Sequence, residues 1–339
     1  MEKVQVNADN GSYEILIGKN ILNDSYLKAF TNYVVVTDEI VYGLYKERFP
    51  DAKFIVLKAG ETSKSMENLE HIYDRLMEFK MDRGGILAAL GGGVVGDICG
   101  FAAATFKRGI RFVQYPTTLL AQVDSSVGGK VAVNLKSGKN MVGAFYQPVA
   151  VFADTDTLQT LDKRQYAAGM AEVIKYAYIA DSKLHQDLQR GGEKIDTIVK
   201  RCCEIKADYV RQDPYDTGIR MQLNYGHTIG HAIETVAGYG RFLHGEAIAI
   251  GMVYAARLGE ALGISPEGLA QDTISLLRKY GLPVMLEKDI LLDALQILLA
   301  DKKAENGDIY FVLIDRIGHA ITRKLPLDVI QKTVKEMDI

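Results

Sequence analysis

Histidine is the residue type whose placement in this chain most suggests chemistry. Three of the six histidines, His227, His231 and His244, fall within one short stretch, and Glu234 and Glu246 lie close to them in sequence. Residues four apart in a helix share one face, so His227 and His231 would be neighbours. Neutral imidazoles on one face commonly bind a divalent transition metal. A polar helix end with hydrogen-bonded histidines is the alternative, and the grouping of three favours a metal site.

A carboxylate and an ammonium group stand one helical turn apart in the apolar segment GMAEVIK, which contains Glu172 and Lys175. Burying an unpaired carboxylate in such surroundings is costly. A bound metal is one partner that would hold Glu172 there. A surface ion pair between Glu172 and Lys175 is the alternative interpretation.

A glycine-rich turn follows the apolar run ILAAL, which is typical of a buried strand. Gly91, Gly93 and Gly96 match the GxGxxG pattern in the position that dinucleotide binding requires, between a strand and a helix. Glycines there let backbone N–H groups approach a pyrophosphate at the helix N-terminus. The same pattern also fits a glycine-rich helix packed tightly against its neighbours.

Acidic and basic residues elsewhere in the first half could bind the rest of a nucleotide. No acidic residue ends the strand that follows the glycines, so Asp38 and Asp97 are the acids available for a ribose. In the segment GETSK, Glu61 could accept hydrogen bonds from ribose hydroxyls and Lys64 could bind a phosphate. Taken by itself, this segment is more simply interpreted as a surface loop with an ion pair between Glu61 and Lys64.

The segment from residue 116 to residue 140 combines glycines, small hydroxyl residues and lysines, which suits the close approach of a phosphorylated ligand. Its polar members of interest are Thr117, Thr118, Asp124, Lys130, Lys139 and Asn140. A solvated loop is the alternative, and apolar residues such as Leu119 and Val127 argue against full exposure.

Lys206, Arg220 and Asn224 precede the histidine-rich stretch. Arg220, Asn224 and His227 follow the i, i+4, i+7 spacing of residues that line one helix face. Because the guanidinium group can bind a carboxylate with two parallel hydrogen bonds, Arg220 is a candidate for a carboxylate of the substrate.

The elements that must position these residues change character along the chain. The first half alternates β-branched runs with a helical pattern, which predicts parallel strands joined by right-handed crossovers. Its predicted elements are strands at Tyr33–Thr37, Phe54–Leu57, Ile86–Leu90, Phe112–Tyr115 and Ala150–Ala153 and a helix at Glu67–Phe79. Later, amphipathic patterns predict helices at Met170–Gln189, Ile195–Arg211, Thr228–Val236, Ala247–Leu262, Glu267–Tyr280 and Ile290–Lys302, with a hairpin of Ile309–Asp315 and His319–Arg323. We therefore predict an α/β nucleotide-binding domain at residues 1–153 and a mostly helical domain at residues 154–339.

Composition excludes several classes of protein. The 339 residues are 48% hydrophobic and 24% charged, as in ordinary globular proteins. The net charge of −3 gives no excess of positive charge with which to bind nucleic acid. Three cysteines, two of them adjacent, indicate neither a disulfide framework nor a thiolate zinc site. The first residues lack a signal-sequence pattern, and the apolar run at residues 86–106 contains Asp97 and five glycines. We expect a cytoplasmic protein without a membrane partner.

Eight segments, in order along nearly the whole chain, closely resemble the 3-dehydroquinate synthases. They are GETSKS, GGGVVGDICGFAAATFKRG, YPTTLLAQVDSSVGGKVAVN, SGKNMVGAF, GMAEVIKY, RMQLNYGHTIGHAIE, HGEAIAIGM and DKK with a later glycine. The resemblance implies an N-terminal Rossmann-like, mostly parallel sheet domain that binds NAD, followed by a mostly α-helical domain that binds metal and substrate. It also implies a homodimer in which Arg108 reaches across the interface. Asp216 stands where family members often have glutamate, which is a minor departure.

The resemblance further implies roles for individual residues. The divalent metal, usually zinc with cobalt as a substitute, would be bound by Glu172, His227 and His244, whereas His231 would line the substrate site. The NAD site would draw on Asp38, Gly60, Glu61, Lys64, Gly92, Gly93, Val94, Val95, Gly96, Asp97, Thr117, Thr118, Leu120, Lys130, Lys139, Thr157, Leu158, Gln159, Thr160 and Leu161. The substrate would be bound by Arg108, Asp124, Lys130, Asn140, Lys175, Lys206, Arg220, Asn224, His231 and one of Lys302 and Lys303. The catalytic residues would be Lys130, His231, Asp124 and Lys175.

The implied reaction converts 3-deoxy-D-arabino-heptulosonate 7-phosphate into 3-dehydroquinate and phosphate, the second step of the shikimate pathway. It combines transient oxidation by NAD, β-elimination of phosphate, reduction and an intramolecular aldol closure, so there is no net redox change. Three alternatives remain open. They are a 2-deoxy-scyllo-inosose synthase, whose substrate has no carboxylate, a metal-dependent alcohol or glycerol dehydrogenase of the same architecture, and a non-catalytic nucleotide-binding regulator with a structural metal.

Overall fold

The computed structural model describes residues 1–8, 11–238, 241–303, 308–326, 329–330 and 333. The chain divides into two compact units: the first unit is Met1–Leu161 with Ile195–Tyr215, and the second unit is Asp162–Lys194 with Asp216–Ile339. This division differs from the sequence-based one after residue 153. The helix Ile195–Gln212 returns to the first unit, where it packs against the strand Glu2–Ala8, and local periodicity contains no information on such a return. Among the described residues, no helix has the length and apolarity needed to cross a membrane.

The described part of the first unit is built on a seven-stranded sheet with a separate two-stranded hairpin. The strands are β1 (Glu2–Ala8), β2 (Gly11–Gly18), β3 (Tyr33–Asp38), β4 (Lys53–Leu57), β5 (Ile86–Gly91), β6 (Arg111–Pro116), β7 (Lys130–Leu135), β8 (Gly138–Phe145) and β9 (Ala150–Asp154). The sheet has the order β1-β2-β9-β6-β5-β3-β4, and β7 pairs with β8. All pairs in the sheet are parallel except β1 with β2. The α/β fold class and the five predicted strands are confirmed, whereas β1, β2, β7 and β8 were not predicted.

Strand order creates a switch point at β3, because the chain continues from β3 to β4 on one side and returns as β5 on the other side. In open α/β sheets, ligands bind outside the carboxyl ends of the strands at such a point. Strand β5 is buried along its entire length, as its unbroken apolar sequence predicted. Its carboxyl end leads directly into the glycine-rich turn.

Helices occupy much of both units. In chain order they are α1 (Glu39–Tyr45), α2 (Met66–Glu78), α3 (Gly93–Thr105), α4 (Lys163–Ala180), α5 (Ser182–Arg190), α6 (Ile195–Gln212), α7 (His227–Ala237), α8 (His244–Ala261), α9 (Leu269–Lys279) and α10 (Lys288–Lys303). The second unit also contains the hairpin of β10 (Asp308–Arg316) and β11 (His319–Pro326). The predicted hairpin and most predicted helices are therefore confirmed. The prediction of one helix at Met170–Gln189 was wrong, because the chain breaks at Asp181, whose side chain caps α5 by accepting from Leu184 N at 2.9 Å.

Glycines allow the helices of the second unit to approach closely. A Cβ at Gly251 in α8 would lie 2.0 Å from the carbonyl oxygen of Gly226, which directly precedes α7. A Cβ at Gly245 would lie 1.9 Å from the carbonyl oxygen of Ala168 in α4. Both distances are far below any real contact, so α8 packs against its neighbours through bare backbone. This packing brings the first residues of α7 and α8 towards α4.

Substitution of Gly251 by alanine tests this packing. The new methyl group must displace backbone atoms, so we expect a loss of about 1–3 kcal/mol or more in the free energy of unfolding. Gly43→Ala is the matched control, because Gly43 lies in α1 with nothing within 4 Å of its Cβ position. Alanine there should stabilise the protein by about 0.5–1 kcal/mol. Chemical denaturation of both variants gives the answer, and equal stability of Gly251→Ala and the parent protein would contradict the packing argument.

Candidate metal and nucleotide sites

Three side chains that are distant in sequence converge in the second unit. Glu172 lies in the middle of α4 and is fully buried, whereas His227 and His244 are the first residues of α7 and α8. The Nε2 atoms of His227 and His244 lie 3.7 Å and 3.5 Å from Glu172 Oε1. The two imidazole rings lie 5.4 Å apart between their centres. One carboxylate and two imidazoles therefore surround a common point.

The donor set fits a divalent metal. Neither carboxylate oxygen of Glu172 accepts a hydrogen bond of regular geometry from the described residues, although Lys175 forms an ion pair with it. Both imidazoles use Nδ1 for another partner: His227 Nδ1 donates to the Tyr225 carbonyl oxygen at 3.1 Å, and His244 Nδ1 lies 3.4 Å from Glu234 Oε2. The Nε2 atoms are thus left for a cation. Two imidazoles and one carboxylate would leave coordination positions open for substrate, which is typical of catalytic metals.

The electrostatic surroundings of the two histidines differ. Burial lowers the pKa of His227 well below its ordinary value, and the nearby charge of Lys175 lowers it further. Burial also opposes the charged form of His244, but the carboxylates of Glu172 and Glu234 outweigh it and raise the pKa of His244 to about 9. A metal must compete with a proton for this second imidazole, since only the deprotonated nitrogen coordinates.

His231 and Glu246 form their hydrogen bonds with residues other than Glu172, His227 and His244. His231 lies on the same helix face as His227, as the spacing predicted, with ring centres 5.4 Å apart. Its side chain is 61% exposed, and its Nδ1 contacts Glu234 Oε2 at 2.8 Å. Glu246 accepts from Leu243 N and forms a two-point ion pair with Arg164, so it fixes the start of α8.

Lys175 is almost completely buried beside Glu172, so the surface ion pair suggested as an alternative is wrong. The pair exists, but it lies inside the unit. Buried pairs of this kind stabilise little on balance, although removal of one partner is strongly destabilising.

The residues proposed for NAD follow the carboxyl ends of five neighbouring parallel strands. Asp38 ends β3, and Thr37 beside it pairs with Leu90 of β5. The segments that follow β4, β5, β6 and β9 contain the remaining members apart from Lys130 and Lys139: Gly60, Glu61 and Lys64; Gly92 to Asp97; Thr117, Thr118 and Leu120; and Thr157 to Leu161. The first unit therefore brings these residues to one edge of the sheet.

The glycines of the GxGxxG match serve close packing as well. A Cβ at Gly93 would lie 2.9 Å from Ser125 Oγ, and one at Gly96 would lie 2.8 Å from Gln114 Oε1. No side chain caps the first turn of α3, which begins after Gly92. Close packing and a helix N-terminus open to an anion are therefore compatible in this turn.

Other members of the proposed NAD set have structural partners. Asp38 caps α1 by accepting from Ile40 N and Val41 N. The Thr157 hydroxyl donates to the Asp154 carbonyl oxygen at 2.7 Å and is buried.

Lys64 is buried rather than exposed at the surface. It forms an ion pair with Asp97 and donates to Asn140 Oδ1, so the interpretation of an ion pair with Glu61 was wrong. Burial raises the pKa of Asp97, and the charge of Lys64 opposes that shift. Glu61 instead accepts from Asn134 Nδ2 at 2.7 Å.

Asn134 is a residue that sequence reasoning did not single out. Its Oδ1 accepts from Asn140 N at 2.8 Å, where Asn140 has a left-handed backbone with φ of 57°. It therefore links Glu61 to Asn140. The segment VAVN contains it, but nothing in its local pattern reveals the contact, which depends on pairing of β7 and β8.

The segment from residue 116 to residue 140 is structured and is not a solvated loop. Residues Ala121–Ser125 form a π-helical turn that contains Asp124, and π-helical turns are frequent at functional sites. Lys206 in α6 donates to the Asp124 carbonyl oxygen at 2.8 Å and forms an ion pair with its carboxylate. Lys130 is an exposed residue at the start of β7.

Arg220, Asn224 and His227 do not share one helix face, so that prediction was wrong. The segment Ile219–Asn224 is a separate 3-10 turn, and the chain changes direction at Gly226 with φ of 79° before α7 begins. Arg220 is buried, whereas Asn224 is exposed.

Of the remaining predicted residues, one is exposed, one is half-buried and two have side chains outside the described part. Arg108 is exposed with a left-handed backbone, φ 68°. Lys139 lies on β8. The side chains of Lys302 and Lys303 lie outside the described residues.

Two family models match consecutive parts of the chain. The model described as 3-dehydroquinate synthase N-terminal matches residues 54–168, and the one described as 3-dehydroquinate synthase C-terminal matches residues 169–304. A 3-dehydroquinate synthase of Bordetella pertussis is 46% identical, and the match covers 96% of each chain. The chain belongs to the 3-dehydroquinate synthase family.

Two solved structures are similar to this family member over almost its whole length. A 2-deoxy-scyllo-inosose synthase, solved with carbaglucose-6-phosphate, NAD+ and Co2+, has 28% identity and a TM-score of 0.86, covering 99% of this chain and 100% of its own. The 2-epi-5-epi-valiolone synthase of Streptomyces hygroscopicus subsp. jinggangensis 5008, solved with NAD+ and Zn2+, has 26% identity and a TM-score of 0.86 over 97% of each chain. This chain therefore shares its fold with both of these synthases.

Proposed function

We propose that this protein is a carbon–oxygen lyase that converts 3-deoxy-D-arabino-heptulosonate 7-phosphate into 3-dehydroquinate and phosphate. The observation that carries the proposal is the convergence of Glu172, His227 and His244 in a member of the 3-dehydroquinate synthase family. Transient oxidation, β-elimination, reduction and aldol closure together need a hydride carrier and a centre that polarises hydroxyl groups. NAD and one zinc or cobalt ion would supply a reversible hydride acceptor and a Lewis acid.

The first unit is proposed to bind the nucleotide at the switch point of its sheet. No side chain caps the N–H groups at the start of α3, which suits the binding of a pyrophosphate there. Asp38 and Glu61 are assigned to ribose hydroxyls. The contacts of buried Lys64 with Asp97 and Asn140 would hold these segments in place, because the ammonium group donates to both side chains.

Substrate contacts are assigned from the resemblance to the 3-dehydroquinate synthases. Lys206 and Arg220 are each assigned to the carboxylate, and Lys130, Asn140 and Arg108 to the phosphate. His231 and Lys130 would relay protons, since both are exposed and carry a donor that can exchange with solvent. The substrate phosphate would accept the C6 proton, so the protein would contribute mainly orientation and fixed charge.

A homodimer is part of the proposal, because the family resemblance has Arg108 crossing an interface. Arg108 is exposed within its own chain, which is compatible with that role. Light scattering of the purified protein should show a mass of two chains.

Product stoichiometry separates the proposal from its alternatives. With the heptulosonate phosphate as substrate, we expect one phosphate released per 3-dehydroquinate formed and no steady accumulation of NADH, because the hydride returns to the product in each turnover. Phosphate and NADH absorbance are measured in the same reaction, with a sugar phosphate that lacks the carboxylate as control. Steady NADH accumulation would indicate a dehydrogenase, faster turnover of the control substrate would indicate an inosose-type synthase, and no reaction at all would support a regulator.

A further inference from the structure

We propose that Glu234 is a positioning residue for the metal, acting through the imidazole of His244. This inference rests on the proposed metal site at Glu172, His227 and His244. Glu234 belongs to α7 and does not reach the point that those three side chains surround. Its role would be to hold one ligand in the correct orientation and tautomer.

The geometry of Glu234 carries the argument. Its side chain is only 11% exposed, and one oxygen, Oε2, lies 2.8 Å from His231 Nδ1 and 3.4 Å from His244 Nδ1. The opposite nitrogen of His244, Nε2, lies 3.5 Å from Glu172 Oε1. His244 therefore stands between two carboxylates, one at the metal point and one behind it.

This arrangement determines which nitrogen of His244 is available. A carboxylate accepts hydrogen bonds and does not donate, so in the neutral, metal-binding form of the ring Glu234 would accept the Nδ1 proton. The lone pair is then on Nε2, where the metal would be. A carboxylate behind a metal-bound imidazole orients the ring and increases its basicity.

His227 provides an internal comparison. Its Nδ1 donates to the neutral carbonyl oxygen of Tyr225 at 3.1 Å, whereas His244 has the charged Glu234 in the equivalent place. His244 is also the more exposed of the two rings, 33% against 12% for their side chains. His244, which has less protein packed around it, is thus the ring whose Nδ1 faces a charged partner. A carboxylate at this nitrogen would hold in place a ring that packing alone holds less firmly.

His231 contacts the same oxygen of Glu234, so a second cation site that includes His231 is the alternative to a positioning role for Glu234. His231, Glu234 and His244 are themselves close enough to bind a cation, with ligand atoms within 4.8 Å of one another. If Glu234 only positions His244, each chain should bind one zinc ion and substitution of His231 should not change the zinc affinity. If there is a second cation site, each chain should bind two zinc ions and substitution of His231 should remove one of them.

The test measures zinc affinity by competition with a chromogenic chelator, on the full-length protein and without substrate. Glu234→Gln retains a hydrogen-bond acceptor but loses the charge, and Glu234→Ala loses both. We expect zinc affinity to fall about tenfold in the first and about a hundredfold in the second. Binding of one zinc per chain should persist in both. Thr235→Ala, on the exposed face of α7, is the control and should leave the affinity unchanged.

His231→Ala and cobalt spectra complete the test. Because His231 only shares the outer oxygen, His231→Ala should leave zinc affinity unchanged, while Glu234→Ala should alter the visible absorption of the cobalt-loaded protein. Unchanged affinity in Glu234→Ala would overturn the inference, as would two zinc ions per chain of which His231→Ala removes one. Absence of any zinc binding by the parent protein would instead remove the proposed function itself.

Discussion

Replacement of Glu172 by glutamine is expected to abolish zinc binding and to reduce turnover by at least about a thousandfold, because the metal supplies several kcal/mol of charge stabilisation. Glutamine has the same shape but no charge. The other two ligands are neutral imidazoles, so the site would lose the negative charge that attracts the metal ion. The measurement is zinc content after dialysis, together with phosphate release. Circular dichroism and thermal unfolding show whether the variant folds.

The same substitution leaves Lys175 buried without its carboxylate partner, so some loss of stability is expected. His244→Ala is therefore the companion variant, since it removes a metal ligand and leaves the Glu172–Lys175 pair intact. Glu267→Gln, at an exposed position, is the control that should keep both zinc and activity. Full activity in metal-stripped Glu172→Gln would contradict the assignment of the metal site.

Replacement of Lys206 by alanine is expected to lower kcat/KM by about 30- to 5,000-fold, which corresponds to the loss of about 2–5 kcal/mol from a desolvated charge pair. Lys206 is largely buried, and in the described structure its ammonium group is held by Asp124. Its position is thus fixed before a substrate carboxylate arrives. Removal of the cation also leaves the Asp124 carboxylate near that point, which would repel an anionic substrate.

Lys200→Ala is the matched control for Lys206, because both lysines lie on α6. Lys200 pairs with Glu2 at the surface, where ion pairs contribute about 0–1 kcal/mol, so its loss should leave steady-state kinetics nearly unchanged. Equal kinetics for Lys206→Ala and Lys200→Ala would remove Lys206 from the substrate site.

Sequence reasoning predicted well those elements whose signal is local. The unbroken apolar run of β5 and the helical spacing of α2 depend only on neighbouring residues, and both are present within one or two residues of their predicted bounds. Strands β7 and β8 are also close in sequence, but their glycines and lysines are typical of a ligand-binding loop. These two strands were therefore not predicted, because their composition indicated a loop.

Spacing alone could not assign the metal ligands. The shared face of His227 and His231 was predicted correctly, yet the second imidazole near Glu172 is that of His244. Its approach depends on the bare contact of Gly251 with Gly226, which no periodicity encodes. The prediction that His231 is not a ligand came from the resemblance to the 3-dehydroquinate synthases and not from spacing.

The position of Lys64 shows the limit of reasoning from charge. A lysine three residues after a glutamate favours an ion pair at the surface. The burial of Lys64 beside Asp97 instead depends on how α3 packs against the sheet. Contacts of this kind, like the one made by Asn134, depend on tertiary packing.

X-ray absorption at the zinc edge of the purified, zinc-loaded protein measures directly whether two histidines and a carboxylate bind one metal ion. We expect one zinc per chain with two imidazole nitrogens at about 2.0–2.1 Å, the remaining ligands being oxygens, and loss of this signal in Glu172→Gln. A sulfur ligand, a single imidazole, or an unchanged spectrum in Glu172→Gln would contradict it.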